Sequence, residues 1–268
     1  MTVSIDQLFN GMKAIIDEYL ESLYDSSSMQ ENIVSRPDFV IPDIDFLMHV
    51  DFVGVAHFSK RSISDASKAI RDIEPIAVCL ELCPYRYEYL KSVQEDPFTK
   101  AFPSEKSELV TAIDLLNGMD VDAWLVDMNQ EEIAARVLAL ASVEEARAWK
   151  RIQNYLVKSE KVGLMLWEEG LKDEAMKVFN GDVGLMRRNF PTLWKVLIFE
   201  RNVFMTCGLI YLVLHYLENG LKEFKIICLV GAVHVEGIKQ LLKQPKKAFQ
   251  ALEKLGIRFR KPYAIKSN

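Results

Sequence analysis

The chain carries four histidines, and two of them close the same phrase. "GVAH" runs from Gly54 to His57 and "GAVH" from Gly231 to His234, each directly after an apolar run. A glycine there lets the backbone turn tightly or pass close to a ligand. The imidazole that follows can bind a metal or act as a general base near neutral pH. Two carboxylates stand at comparable points: Glu81 after "IAVCL" and Asp127 after "VDAWLV". In open α/β sheets the carboxyl ends of the strands line one edge, where ligands bind. His57, Glu81, Asp127 and His234 are therefore expected to converge despite their separation in sequence.

A further candidate is the pair Glu200 and Arg201. In "PTLWKVLIFERNVFMTCGLIYLVLHYL" the apolar stripe runs Leu193, Val196, Leu197, Val203, Phe204, Cys207, Tyr211 and Leu214, and Glu200 falls inside it. A charge on a core-facing stripe needs a partner or a cavity. Glu200 is thus expected to be buried and to face the shared site. Plainer accounts stand beside these: an ion pair to Arg86 or Arg201 for Glu81, a cap on the helix starting at Gln130 for Asp127, and a surface pair for Glu200. His49 and His215 read as structural.

The elements that must position these groups follow from periodicity and breakers. Met1 to Tyr24 has helical spacing. "FLMHVDFVGVAH" reads as a strand. "SISDASKAIRDIEP" reads as a helix, with Ser62 or Ser64 as its N-cap and Pro75 beyond its end. "IAVCLEL" is a strand with Ile76, Val78, Leu80 and Leu82 expected on one face and Ala77 and Cys79 on the other, so helices should cover both sides of its sheet. "EKSELVTAIDLLNGM" is helical and "VDAWLVDMN" is a third strand. Residues 130–220 read as helices broken near Gly163, Gly170, Gly181–Gly184 and Pro191. "EFKIICLVGAVH" returns as a strand, two helices follow, and "IRFRKPYAIK" suits an edge strand that tolerates Pro262. The expected fold is α/β: a central, mostly parallel or mixed sheet flanked by helices, one domain over 1–268 with a helical insert or cap over 130–220.

Composition narrows the partners. Half of the 268 residues are hydrophobic and the net charge is −5, an ordinary globular balance that argues against a nucleic-acid partner. Cys79, Cys83, Cys207 and Cys228 form no C-x-x-C pair, and three of them lie in apolar runs, as reduced thiols of a cytoplasmic protein would. The N-terminus lacks the basic-then-apolar pattern of a signal peptide. The apolar stretch "VFMTCGLIYLVLHYL" has 15 residues, short of the roughly 20 that span a bilayer, and fits a core helix. Peripheral attachment to an intracellular membrane through a partner stays open, as does the oligomeric state.

Four short segments, in order, resemble the TraB family. "VGVAHFSKRSISDASKAIRDIEPIAVCLELCPYRYEYL" is similar to its opening, with a GxxH, a helix, and a strand ending in Glu-Leu-Cys with an Arg nearby. "EEIAARVLA" resembles its Arg-bearing helix, here with Arg136. "FERNVFM" is similar to its Glu-Arg-Asp-x-x-Met segment, and "VGAVHVEGI" to its closing Gly-x-x-His-x-x-Gly-Ile. The resemblance covers Val50 to Ile238. It implies a TraB/Tiki-like fold of two related halves, each supplying one GxxH to a single site. Relatives include bacterial pheromone-shutdown proteins, the Tiki metal-dependent proteases and, more distantly, the erythromycin esterases. Carried over, His57, His234 and Glu81 would hold a divalent ion such as Mn, Co or Zn, and Glu81, Glu200 and Arg201 would be catalytic. The implied activity is a metal-dependent hydrolase, a peptidase acting on small peptides or peptide signals. Two departures, Met128 where the family often has Arg and Asn202 where it has Asp, favour the alternative of a non-catalytic regulatory or binding protein. A strand-end histidine facing a polar cleft leaves little void on truncation, so His234→Ala is expected to spare the fold.

Overall fold

The computed structural model describes residues 40–95 and 107–265. The helix expected over Met1–Tyr24 lies outside them. Five strands form one sheet in the order β1-β4-β2-β3-β5. They are β1 (Val50–Val55), β2 (Ala77–Leu80), β3 (Asp122–Leu125), β4 (Ile226–Gly231) and β5 (Tyr263–Ile265). The first four are mutually parallel, and β5 closes the edge antiparallel to β3. Pro262 immediately precedes β5 and so withholds no donor from the ladder. The chain is thus α/β, a mixed five-stranded sheet flanked by helices.

Alternation along the central strands builds two apolar layers. Ile226, Cys228 and Val230 of β4 and Ala77 and Cys79 of β2 face one side. Ile227, Leu229, Val78, Leu80 and Leu82 face the other. The second layer is covered by helices α1 (Lys60–Ile73) and α3 (Glu108–Leu115), through Ala66 and Ile70, and Leu109, Val110, Ala112 and Ile113. Helix α2 (Pro84–Glu95) lies between them in sequence. The first layer is covered by α7 (Pro191–Glu218), α8 (Ala232–Leu242) and α9 (Pro245–Lys254). All four cysteines are free and buried; Cys79, Cys207 and Cys228 lie in the first layer, where burial pushes their thiols up and keeps them protonated and unreactive.

Between β3 and α7 come α4 (Gln130–Leu140) and the hairpin of α5 (Val143–Glu168) and α6 (Lys172–Asn189). Gly170 breaks the hairpin in the left-handed conformation, and Pro191 opens α7. Gly163, Gly181 and Gly184 interrupt nothing. Gly163 is where the two helices touch: a Cβ there would come within 2.3 Å of Phe179 Cε1. By length and composition α7 alone, among the described residues, is apolar enough to cross a membrane; 72% of its apolar window is buried inside the protein, as a core helix requires. Residues Lys195–Glu200 of α7 form a π turn.

Several local expectations change. Phe46–Met48 is a 3₁₀ turn, so the first strand begins only at Val50. Ile76, just before β2, departs from the expected face, since it packs with Ala77 and Cys79. Ser59, not Ser62 or Ser64, caps α1, accepting from Ser62 N. The Ser62 hydroxyl instead bonds Ala56 at both N and O and accepts from Trp167 Nε1, tying the GVAH backbone to the tip of the α5–α6 hairpin. His49 stacks on Phe224.

Candidate active site at the carboxyl edge of the sheet

The two GxxH phrases lie on adjacent strands. In the β1–β4 ladder Gly54 pairs with Val230 and Val55 with Gly231, so the phrases run side by side, offset by one residue. Their glycines serve different ends. A Cβ on Gly54 would lie 3.2 Å from Ala232 Cα, so Gly54 lets the start of α8 pack against β1. Gly231 is the floor of the site: a Cβ there would lie 3.2 Å from Glu81 Oε2 and 3.5 Å from both His57 Nε2 and His234 Cδ2. Its N–H donates to Glu81 Oε2 at 2.5 Å.

His57, Glu81 and His234 therefore meet over one stretch of backbone. His57 Nε2 lies 3.9 Å from Glu81 Oε1, and His234 Nε2 lies 3.7 Å from the same oxygen. Arg201 reaches in from α7. Its Nη2 donates to Glu81 Oε1 at 2.5 Å and to Asp127 Oδ2 at 2.7 Å, and its Nε donates to Asp127 Oδ1 at 3.1 Å. Asp127 is thus a partner of Arg201, and Asn129 is the residue at the N-cap of α4.

Each imidazole is anchored through Nδ1. His57 Nδ1 is 2.7 Å from Glu108 Oε1, and His234 Nδ1 is 2.6 Å from Asn202 Oδ1. Both partners accept, so each Nδ1 donates and the lone pair sits on Nε2, turned toward Glu81. Arg201 Nη1, 3.4 Å from His234 Nε2, is placed to donate to that lone pair. His234 is only 3% exposed and sits in the first turn of α8 instead of beyond a strand end. The expectation that His234→Ala would spare the fold assumed a cleft-facing side chain, and this burial overturns it.

The charges explain the titration. Burial alone would raise the Glu81 carboxyl, but His234, Arg201, His57 and the Gly231 N–H together hold it well below the usual carboxylate range. Burial lowers His234, and Arg201 adds to this against the pull of Glu81. Burial opposes protonation of His57 too, but the bond to Glu108 and the nearby Glu81 outweigh it, and His57 is raised. Burial works against the Arg201 charge, yet Asp127 and Glu81 more than restore it.

Glu200 is fully buried, as its place in the stripe required, but it does not join this cluster. Its Oε2 accepts from Arg136 Nε at 2.7 Å, and Arg136 also bonds Leu255 O. A π turn over Lys195–Glu200 directly precedes Arg201, and a reading at a uniform 3.6-residue period does not include it. Glu108 went unrecognised in the sequence. An acidic residue in the first turn of a helix is ordinary, and nothing in "SELV" singles it out. Asn202 was visible only as a departure from Asp. Its amide keeps the hydrogen bond to His234 and drops the charge. Met128 is a buried core residue.

As it stands, no group of three or more His, Cys, Asp or Glu side chains among the described residues is gathered as a metal site. Arg201 holds the Glu81 oxygen that the two histidines face. No family model matches the chain. The chain is similar to an uncharacterized protein of Methanocaldococcus jannaschii, 26% identical over a 220-residue alignment that takes in 72% of this chain. The match covers 53% of that protein, so the chain spans about half the length of the relative it resembles.

Proposed function

We propose that the chain is a metal-dependent hydrolase of peptide bonds, with a TraB/Tiki-like site to which two halves of the fold each contribute one GxxH. The observation that carries this reading is the convergence of two Nε2 lone pairs on one oxygen of Glu81. The donor set fits a divalent ion. Metal-binding histidines characteristically donate their other ring N–H to an oxygen acceptor, as His57 does to Glu108 and His234 to Asn202. His57, His234 and Glu81 would hold Mn, Co or Zn, which would act as a Lewis acid and lower the pKa of bound water. Glu81, kept ionised by its neighbours, would serve as a charged ligand of that ion or, left free of it, as the base toward an attacking water. Arg201, fixed by Asp127, stands ready to stabilise negative charge growing on the substrate carbonyl. The half-exposed His57 marks the side from which a small peptide enters.

One observation favours a second reading, a binding or regulatory protein that keeps the fold without turnover. Arg201 already satisfies Glu81 Oε1, so a cation must compete with a guanidinium for that oxygen. Digestion of a mixed peptide library, read by mass spectrometry, separates the two. The hydrolase reading expects cleavage that a chelator abolishes, that Mn, Co or Zn restores, and that Glu81→Gln lacks. Metal binding by calorimetry without any cleavage supports the second reading. A chain that shows no metal binding and no cleavage overturns the first.

A further inference from the structure

We infer that Glu108 is a positioning residue that uses its two carboxylate oxygens for two tasks: it fixes the proton of His57 on Nδ1, and it holds the adjoining turn in the conformation that aims the ring. Oε1 lies 2.7 Å from His57 Nδ1, and Oε2 accepts the Phe58 N–H at 2.8 Å. With both oxygens accepting, the proton of that ring edge belongs to the histidine, and Nε2 is left bearing the lone pair toward Glu81.

The turn itself argues that the arrangement is built. Phe58 has φ +60, a left-handed conformation that is strained for a bulky side chain. Its ring is 51% exposed, so core packing does not hold it there. Two hydrogen bonds offset the strain: its own N–H donates to a carboxylate that is 1% exposed, and the Ser59 N–H closes the turn onto Ala56 O. Glu108 is rigid in turn: it opens α3, whose Leu109, Val110, Ala112 and Ile113 are packed in the core. His234 receives a simpler service. Asn202 supplies its amide oxygen to Nδ1, while its amide nitrogen lies against Gly237 one turn further along α8, where a Cβ would come within 2.2 Å. The two imidazoles are thus oriented by different means, and the His57 anchor accepts hydrogen bonds from the ring and from the next backbone N–H at once. This inference deepens the proposed function and rests on it only for what the Nε2 lone pair is used for.

The test separates the two tasks. Two-bond ¹⁵N–¹H NMR of the full chain, at alkaline pH where both imidazoles are neutral, reports which ring nitrogen carries the proton. Wild type should show His57 protonated on Nδ1. Glu108→Ala should move that proton to Nε2 or average it between the two. Glu108→Gln has one acceptor oxygen for two donors, so it can serve the ring or the Phe58 N–H but not both; its melting temperature should fall, and Phe58→Gly in that background should recover part of the loss. Calorimetric titration with Mn²⁺ should show binding roughly 10- to 100-fold weaker in Glu108→Ala than in wild type. A wild-type His57 protonated on Nε2, or an unchanged tautomer in Glu108→Ala, overturns the assignment. A wild-type chain that binds none of Mn²⁺, Co²⁺ and Zn²⁺ sinks the proposed function instead, and the NMR spectra still decide the role of Glu108.

Discussion

Replacing Arg201 with methionine keeps most of the side-chain length and removes its charge. In the folded chain this guanidinium serves two carboxylates that are nearly inaccessible, Glu81 at 1% and Asp127 at 7% exposure. It makes three hydrogen bonds to them, at 2.5, 2.7 and 3.1 Å. Without it, Glu81 keeps the Gly231 N–H and two poorly aligned imidazoles, while Asp127 keeps only the Met128 N–H. Breaking a buried pair by removing one partner typically costs about 3–5 kcal/mol, because the orphaned charge stays buried. For a chain of this size each kcal/mol lowers the melting temperature by roughly 2–4 °C, so the expected loss is on the order of 6–20 °C at neutral pH.

Two features make the argument refutable. The cost is electrostatic, so it should shrink when the carboxylates are neutralised. Combining Arg201→Met with Glu81→Gln and Asp127→Asn should recover much of the stability that the single substitution loses, a strong departure from additivity. Acid should do the same. Glu81 is held low in the fold, so its contribution is present above its unfolded pKa and fades as pH falls through the folded one. The gap between wild type and Arg201→Met should therefore narrow below about pH 4.5, the ordinary carboxylate value. Thermal unfolding followed by circular dichroism from about pH 2 to about pH 8 measures both. A loss of under about 2 °C for the single variant, or a gap that ignores pH and the neutral background, would mean that Arg201 is held by packing and not by charge.

Other outcomes follow from the same geometry. His234→Ala should cost roughly 2–4 kcal/mol in metal-free protein, because a side chain 3% exposed leaves a void and orphans Asn202 Oδ1; an unchanged thermal midpoint would place His234 outside the core. The lowered His234 resists protonation that the unfolded chain accepts, so metal-free stability should fall as pH drops below about 6.5, with the raised His57 pulling the opposite way above it. Removing each histidine in turn should cancel its own part of the pH–stability curve. Gly231→Ala should destabilise the chain by pushing Glu81 off the Gly231 N–H, since the new methyl would lie 3.2 Å from Glu81 Oε2, whereas 3.5 Å to each imidazole is ordinary contact; a variant with wild-type stability would show that the floor beneath Glu81 is not tight.

Much of this site was readable because strand ends are readable. The β2 run "AVCL" fixes its own alternation, and once Val78 and Leu80 face one layer, Glu81 can only follow at the carboxyl edge. The same holds for Asp127 after β3. What escaped were properties that belong to the assembled edge. Glu108 is 51 residues from His57 in sequence and reaches it only because α3 packs beside α1. Glu200 ends a π turn, and periodicity assumes a constant pitch. His234 looked solvent-facing because a residue after a strand usually is, whereas here α8 starts at once and carries it under Arg201.

The repeated phrase shows why identical letters need separate arguments. β1 and β4 are far apart in sequence yet paired in the sheet, so the two histidines were bound to emerge at the same edge whatever their function. Pairing alone does not make a site. The one-residue offset does: it sets Gly231 beside Val55, so the floor beneath Glu81 and both imidazoles is bare backbone. In the other phrase the equivalent glycine lies one step back, under Ala232, where it serves packing. A strict repeat of function would demand interchangeable glycines. The geometry makes Gly231 part of the site and Gly54 part of the frame, and it gives the two histidines anchors of different chemistry, a carboxylate and an amide. The asymmetry therefore begins in the backbone register, before any side chain is considered.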